Sequence, residues 1–78
     1  MMDNVTDLEL DLSGLVCPLP LLKTKQALNK MQSGQKIKVL ATDPGSERDF
    51  QVFAEQSGNK LLEMKREDGR FQYTLEKS

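Results

Sequence analysis

The chain of 78 residues carries 11 Lys and Arg against 12 Asp and Glu, a net charge of −1, with one cysteine and no histidine. That length makes a single small domain, 1–78 with an ordered core over about 6–76, and its core must be thin. Balanced charge argues against a non-specific nucleic-acid binder, and one cysteine without histidine excludes an internal disulfide and disfavours both zinc and histidine-based nucleophilic catalysis. No metal or cofactor is expected.

Residues 1 to about 5 read as a loose end. They are acidic and polar, unlike a signal peptide, and no apolar run is long enough to cross a bilayer. The expectation is a cytoplasmic protein with no membrane insertion. Leu8, Leu10 and Leu12 then alternate with Glu9 and Asp11, the pattern of a strand with one wet face. Ser13-Gly14 breaks it. Pro18 is expected to open a helix to about Gln32, since proline at a first helical position removes only an N–H that would be unpaired anyway. On a wheel of about 100° per residue, Leu21, Thr24, Ala27, Leu28 and Met31 share a face that should lie on the sheet. Gly34 is the expected left-handed cap.

Ile37, Val39 and Ala41 alternate with Lys36, Lys38 and Leu40 as a second strand, and Asp43-Pro44-Gly45-Ser46 is a turn. Ser46 with Asp49 resembles a capping box for a second helix, whose apolar face carries Phe50, Phe53 and Ala54. Ser57-Gly58-Asn59 ends it. A third strand alternates about Leu62 and Met64, Asp68-Gly69 is a favoured hairpin turn, and Phe71, Tyr73 and Leu75 form the inward face of the last strand, with Tyr73 at the core edge. The order β-α-β-α-β-β predicts a two-layer α/β sandwich: a four-stranded mixed sheet with both helices on one face and its back open to solvent. Right-handed crossovers make the first strands parallel neighbours or near-neighbours.

The chemistry-bearing feature is Cys17, in the run Gly14-Leu15-Val16-Cys17-Pro18-Leu19-Pro20. Read as the N-cap of the first helix, its sulfur would meet the N–H of Leu19 and the positive end of the helix dipole, and should ionise more readily than a free thiol. The two prolines stiffen the turn. The motif holds no general base, so the sulfur is suited to exchange with another sulfur rather than to bond-breaking on a small molecule. The bland reading is that a lone cysteine is a small buried hydrophobe.

These residues, with Ala41-Thr42-Asp43-Pro44-Gly45 after the second strand and a length near eighty residues, resemble the TusA/SirA family of small sulfur-carrier proteins, over a match from about Leu8 to Leu75. The hallmark is Cys-Pro-x-Pro at the start of the first helix. The resemblance implies a sulfurtransferase whose Cys17 accepts sulfane sulfur as a persulfide from a cysteine desulfurase or another sulfur donor protein. The sulfur then passes to a downstream acceptor protein, as in tRNA thiouridine synthesis, giving an indirect link to tRNA, or in another sulfur-trafficking pathway. Gly14, Pro18 and Pro20 shape the motif. Well-known tRNA-thiolation members carry an acidic residue between the prolines, where this chain has Leu19.

Leu19 and Leu22 fall off the core face of the first helix and offer an apolar docking rim beside Cys17. Lys25 continues that flank, and Asp43 should reach the same sheet end because both loops follow parallel strands. Arg48 reads as a surface charge. A sulfur that must meet partners favours a monomer. The alternative is a non-catalytic RNA-binding or regulatory module, for which the lysine flank of the first helix and the likeness of the fold to an RNA-associated domain speak. A thiol redox sensor would need a resolving cysteine from another chain.

Overall fold

A computed structural model describes residues 6–78; the loose end expected at residues 1–5 lies outside the described residues. The elements are β1 (Leu8–Leu12), α1 (Leu19–Asn29), β2 (Lys36–Ala41), α2 (Ser46–Ser57), β3 (Lys60–Glu67) and β4 (Arg70–Glu76). The sheet order is β1-β2-β4-β3. β1 runs parallel to β2, and β4 is antiparallel to both β2 and β3. The expected two-layer sandwich with a mixed sheet is the observed one. β3 is a near-neighbour of β2, with β4 between them.

The register explains the core. Leu10 pairs with Val39 and Leu12 with Ala41, while Ile37, Val39 and Ala41 pair with Leu75, Tyr73 and Phe71. Directly paired residues share a face, so one face of the sheet gathers these side chains under Leu28 of α1 and Phe50 of α2, all buried but the partly buried Leu10. Fully burying each large apolar side chain contributes about 1.5–3 kcal/mol. Leu8, at the start of the β1 stripe, is exposed. Tyr73 lies at the centre of this core, not at its edge. It is fully buried, its ring stacked on Phe50 with centroids 4.3 Å apart and planes 4° from parallel.

The helix ends differ from the pattern reading. α1 begins at Leu19 with Pro18 as N-cap and makes no side-chain cap bond. It stops at Asn29, short of Gln32, and continues only as single turns in which the Lys30 and Met31 N–H groups donate to the Ala27 and Leu28 carbonyls. Gly34 does adopt a left-handed φ of +90°, yet it caps nothing on α1. Its N–H donates to the Lys77 carbonyl at 2.8 Å, which ties the chain's last residues to the entry of β2. α2 ends as expected on Gly58, left-handed at φ +84°.

In β3 the register shifts between Leu61, opposite Leu75, and Glu63, opposite Thr74. The extra residue is Leu62, which is 46% exposed. This bulge overturns the simple alternation. Leu61 packs against the core, Leu62 is turned out, and beyond the bulge Met64 stands opposite Tyr73. The hairpin from β3 to β4 follows its sequence, with both Asp68 and Gly69 at positive φ as a type I′ turn requires.

Candidate functional site

Cys17 lies in the loop from β1 to α1, and Asp43 in the loop from β2 to α2. Because β1 and β2 are parallel neighbours, both loops leave the same end of the sheet. The Gly14 N–H donates to the Thr42 hydroxyl at 2.9 Å and ties the two loops together. Gly14 has φ +85° with open space around it, so it serves by its backbone and not by close packing. Just before it, the Ser13 N–H donates to the Asp11 carboxylate at 3.1 Å. Hydrogen bonds from Ser13 hold the Asp11 carboxyl below its ordinary value.

Cys17 is exposed and unpaired. It is not the N-cap of α1, which starts two residues later. The Leu19 N–H expected to meet the sulfur donates to the Val16 carbonyl at 2.8 Å instead. The Cys17–Pro18 peptide bond is cis. Pro20, placed in the sequence as a shaping residue, is also buried beneath the first turn of α1. Its carbonyl accepts the hydroxyl of buried Thr24 at 2.9 Å.

The neighbours of the sulfur come from the β2–α2 loop and the first turn of α2. The Sγ of Cys17 and carboxylate oxygens of Asp43 and Asp49 all lie within 4.8 Å of one another. Asp49 stands in the first turn of α2, where it faces the thiol and does not close a capping box: the N-cap of α2 is Gly45 and makes no side-chain cap bond. Ser46, the other half of the expected box, is buried with its hydroxyl bonded to that of Tyr73. The thiol's electrostatics are therefore opposite to the sequence expectation. Asp49, as a hydrogen-bond acceptor for the S–H, pushes the thiol above its ordinary value, with smaller contributions from partial desolvation and from the charges of Asp49 and Asp43. Asp43 Oδ2 is buried with no hydrogen-bond partner. The ion pairs among the described residues, Lys38–Glu9, Lys65–Glu63 and Arg66–Glu47, involve neither acid of the cluster. One sulfur and two carboxylates fall short of the four-ligand set of a structural zinc site.

Close to Cys17 along the chain, Val16, Leu19 and Leu22 are 62%, 41% and 46% exposed; the sequence pattern turned the last two away from the core. Lys25 is not part of this cluster. It lies about two turns along α1, its Nζ 5.6 Å from the centroid of the Phe53 ring, a cation–π arrangement. Arg48 is exposed. Asp49 was legible only as a possible cap. Its reach to Cys17 depends on α2 starting beside the β1–α1 loop, which strand order alone decides.

An exposed single thiol, on a loop tied to its neighbour at one end of an open-backed α/β sandwich, defines a small thiol-bearing α/β domain. The family model for the sulfurtransferase TusA matches residues 8–77. The sulfur carrier protein TusA of Allochromatium vinosum is 57% identical over 72 residues, covering 92% of this chain and 95% of that protein. A Pseudomonas putida sulfur carrier protein TusA is 36% identical over 77 residues, covering 99% and 96%. Among solved structures, a SirA-like protein from Desulfitobacterium hafniense superposes with a TM-score of 0.78 at 28% identity, covering 88% of this chain and 95% of that one. The chain belongs to the TusA family of sulfurtransferases.

Proposed function

We propose that this protein is a sulfur carrier that takes up sulfane sulfur on Cys17 as a persulfide and passes it to an acceptor protein, the whole chain working as one domain. The observation that carries this reading is the exposure of the sole cysteine on a turn that two loops brace, within a chain of the TusA family. A raised thiol pKa suits a carrier: as a leaving group the Cys17 sulfur departs reluctantly, so its persulfide is held against casual exchange. Val16, Leu19 and Leu22 supply the apolar contact for partners, with Gly14, Pro18 and Pro20 fixing the loop that presents the sulfur and Asp43 at its edge.

The donor is a protein persulfide such as that of a cysteine desulfurase. In the transfer, the Cys17 sulfur attacks the outer sulfur of the donor persulfide. The donor's S–S bond breaks, its cysteine leaves with the electron pair, and a proton moves from Cys17 to that leaving thiolate through solvent. No net oxidation occurs. The acceptor reverses the chemistry at Cys17. The downstream use is tRNA thiolation or another sulfur-trafficking route in the cytoplasm, with the carrier as a monomer. No helix among the described residues is long and apolar enough to cross a membrane. Incubation with an active cysteine desulfurase and cysteine is expected to add one sulfur mass to the intact protein and none to Cys17→Ala. An unmodified wild-type mass beside a turning-over desulfurase would refute the reading.

A further inference from the structure

We propose that Asp43 and Asp49 form a charge filter at Cys17: the carboxylate pair turns away anionic low-molecular-weight sulfur compounds and nucleophiles, so that the sulfur exchanges its cargo with sulfur held on proteins. This rests on the carrier reading of Cys17. The argument is geometric. Both carboxylates lie within 4.8 Å of the sulfur, and neither is neutralised by an ion pair among the described residues. One oxygen of Asp43 is buried without a hydrogen-bond partner, so nothing within the fold disperses charge on that atom. The sulfur itself is open to solvent, and sterics therefore do not screen it from small molecules. Charge is the discrimination that remains.

Thiosulfate, sulfite and hydropolysulfide are the small carriers and scavengers of sulfane sulfur, and all are anions at neutral pH. Sulfite would discharge a loaded carrier by attacking the outer sulfur of the Cys17 persulfide. A new S–S bond forms in thiosulfate, the persulfide bond breaks, and the electron pair and the proton stay with the Cys17 thiol. Even at the dielectric constant of water, two like charges at about 5 Å slow the approach of a monoanion roughly tenfold, and that of a dianion more. A protein that brings its own sulfur meets the same carboxylates but offsets the repulsion with apolar contact at the exposed Val16, Leu19 and Leu22.

The test uses the full chain and a matched pair of thiol reagents, trimethylammonium-ethyl and sulfonato-ethyl methanethiosulfonate. Each transfers its thioalkyl group to the Cys17 thiolate with methanesulfinate leaving, so the thiolate fraction cancels in the ratio of their rates. The cation-to-anion ratio is expected to be at least roughly tenfold larger for the wild type than for Asp43→Asn/Asp49→Asn. It should also fall in the wild type as salt is raised. Equal ratios in the two proteins overturn the proposal. Should the double variant not fold, the wild-type salt series decides, and a ratio indifferent to salt overturns it equally. In a second arm, sulfite is expected to strip persulfide from the double variant faster than from the wild type. A wild type that never gains a persulfide mass strikes at the carrier reading, whereas an unchanged reagent ratio strikes at the filter.

Discussion

The hydroxyls of Ser46 and Tyr73 bond to each other in the core, and removing one of them tests how α2 is held over the sheet. Tyr73 is fully buried and Ser46 is 1% exposed, so no water can replace a lost partner. Tyr73→Phe keeps the ring stacked on Phe50 but leaves the serine hydroxyl buried and unpaired. That costs about 1–3 kcal/mol, the penalty of an unsatisfied buried polar group. Ser46→Ala leaves the tyrosine hydroxyl in the same position, at a similar cost. The double variant removes both polar groups and should be no less stable than either single variant, a coupling of about 1–2 kcal/mol. Each kcal/mol shifts the melting midpoint by roughly 4–8 °C in a domain of this size. Urea unfolding of the four proteins measures the cycle. Additive single costs would refute the reasoning, because they would mean that the two hydroxyls do not depend on each other.

The same tyrosine sets an alkaline limit. Burial pushes its hydroxyl above the ordinary 10.0; the bond with Ser46 lowers it in part, and the charges of Glu47, Asp43 and Asp49 raise it. A raised folded-state value means that stability is intact below the unfolded value near 10 and is lost as pH rises through the folded one. Tyr73→Phe should remove that alkaline decline.

Two further outcomes follow at the site. Asp49→Asn removes the largest influence raising the Cys17 thiol. The pH midpoint for alkylation by iodoacetamide should therefore move down, and the rate at neutral pH should rise. An unmoved midpoint would show that Asp49 does not act on the sulfur. Gly14→Ala places a Cβ at φ +85° in otherwise open space, so its cost is backbone strain alone, about 1–2 kcal/mol by urea unfolding. A neutral result would mean that the loop can relax away from the Thr42 hydroxyl.

Much of the fold was legible because local rules and the tertiary answer agree. The Ile37-Val39-Ala41 and Phe71-Tyr73-Leu75 stripes are buried as alternation implies, Asp68-Gly69 makes its hairpin turn, and Gly58 ends α2. The misreadings share one cause. Leu62 breaks the β3 alternation because a bulge depends on how β3 fits β4, which no local pattern records. Ser46 and Asp49 carry the spacing of a capping box, but a buried tyrosine hydroxyl from another strand takes the serine and the Cys17 loop takes the aspartate side.

By itself, the sequence determined that one thiol would stand at the end of the first strand, on a proline-stiffened turn, in a TusA-like chain. The sign of the shift at that thiol, set first by Asp49, was decided only by the tertiary structure. Helix-start logic pointed to an easily ionised sulfur, because it considers only the backbone nearby in sequence. The parallel pairing of β1 with β2 brings Asp43 to the same sheet end, as the loop order implied, and the start of α2 adds Asp49, which the sequence offered only as a cap. Electrostatics depends on distance in space, so the ionisation of Cys17 was not readable until the strands had been ordered.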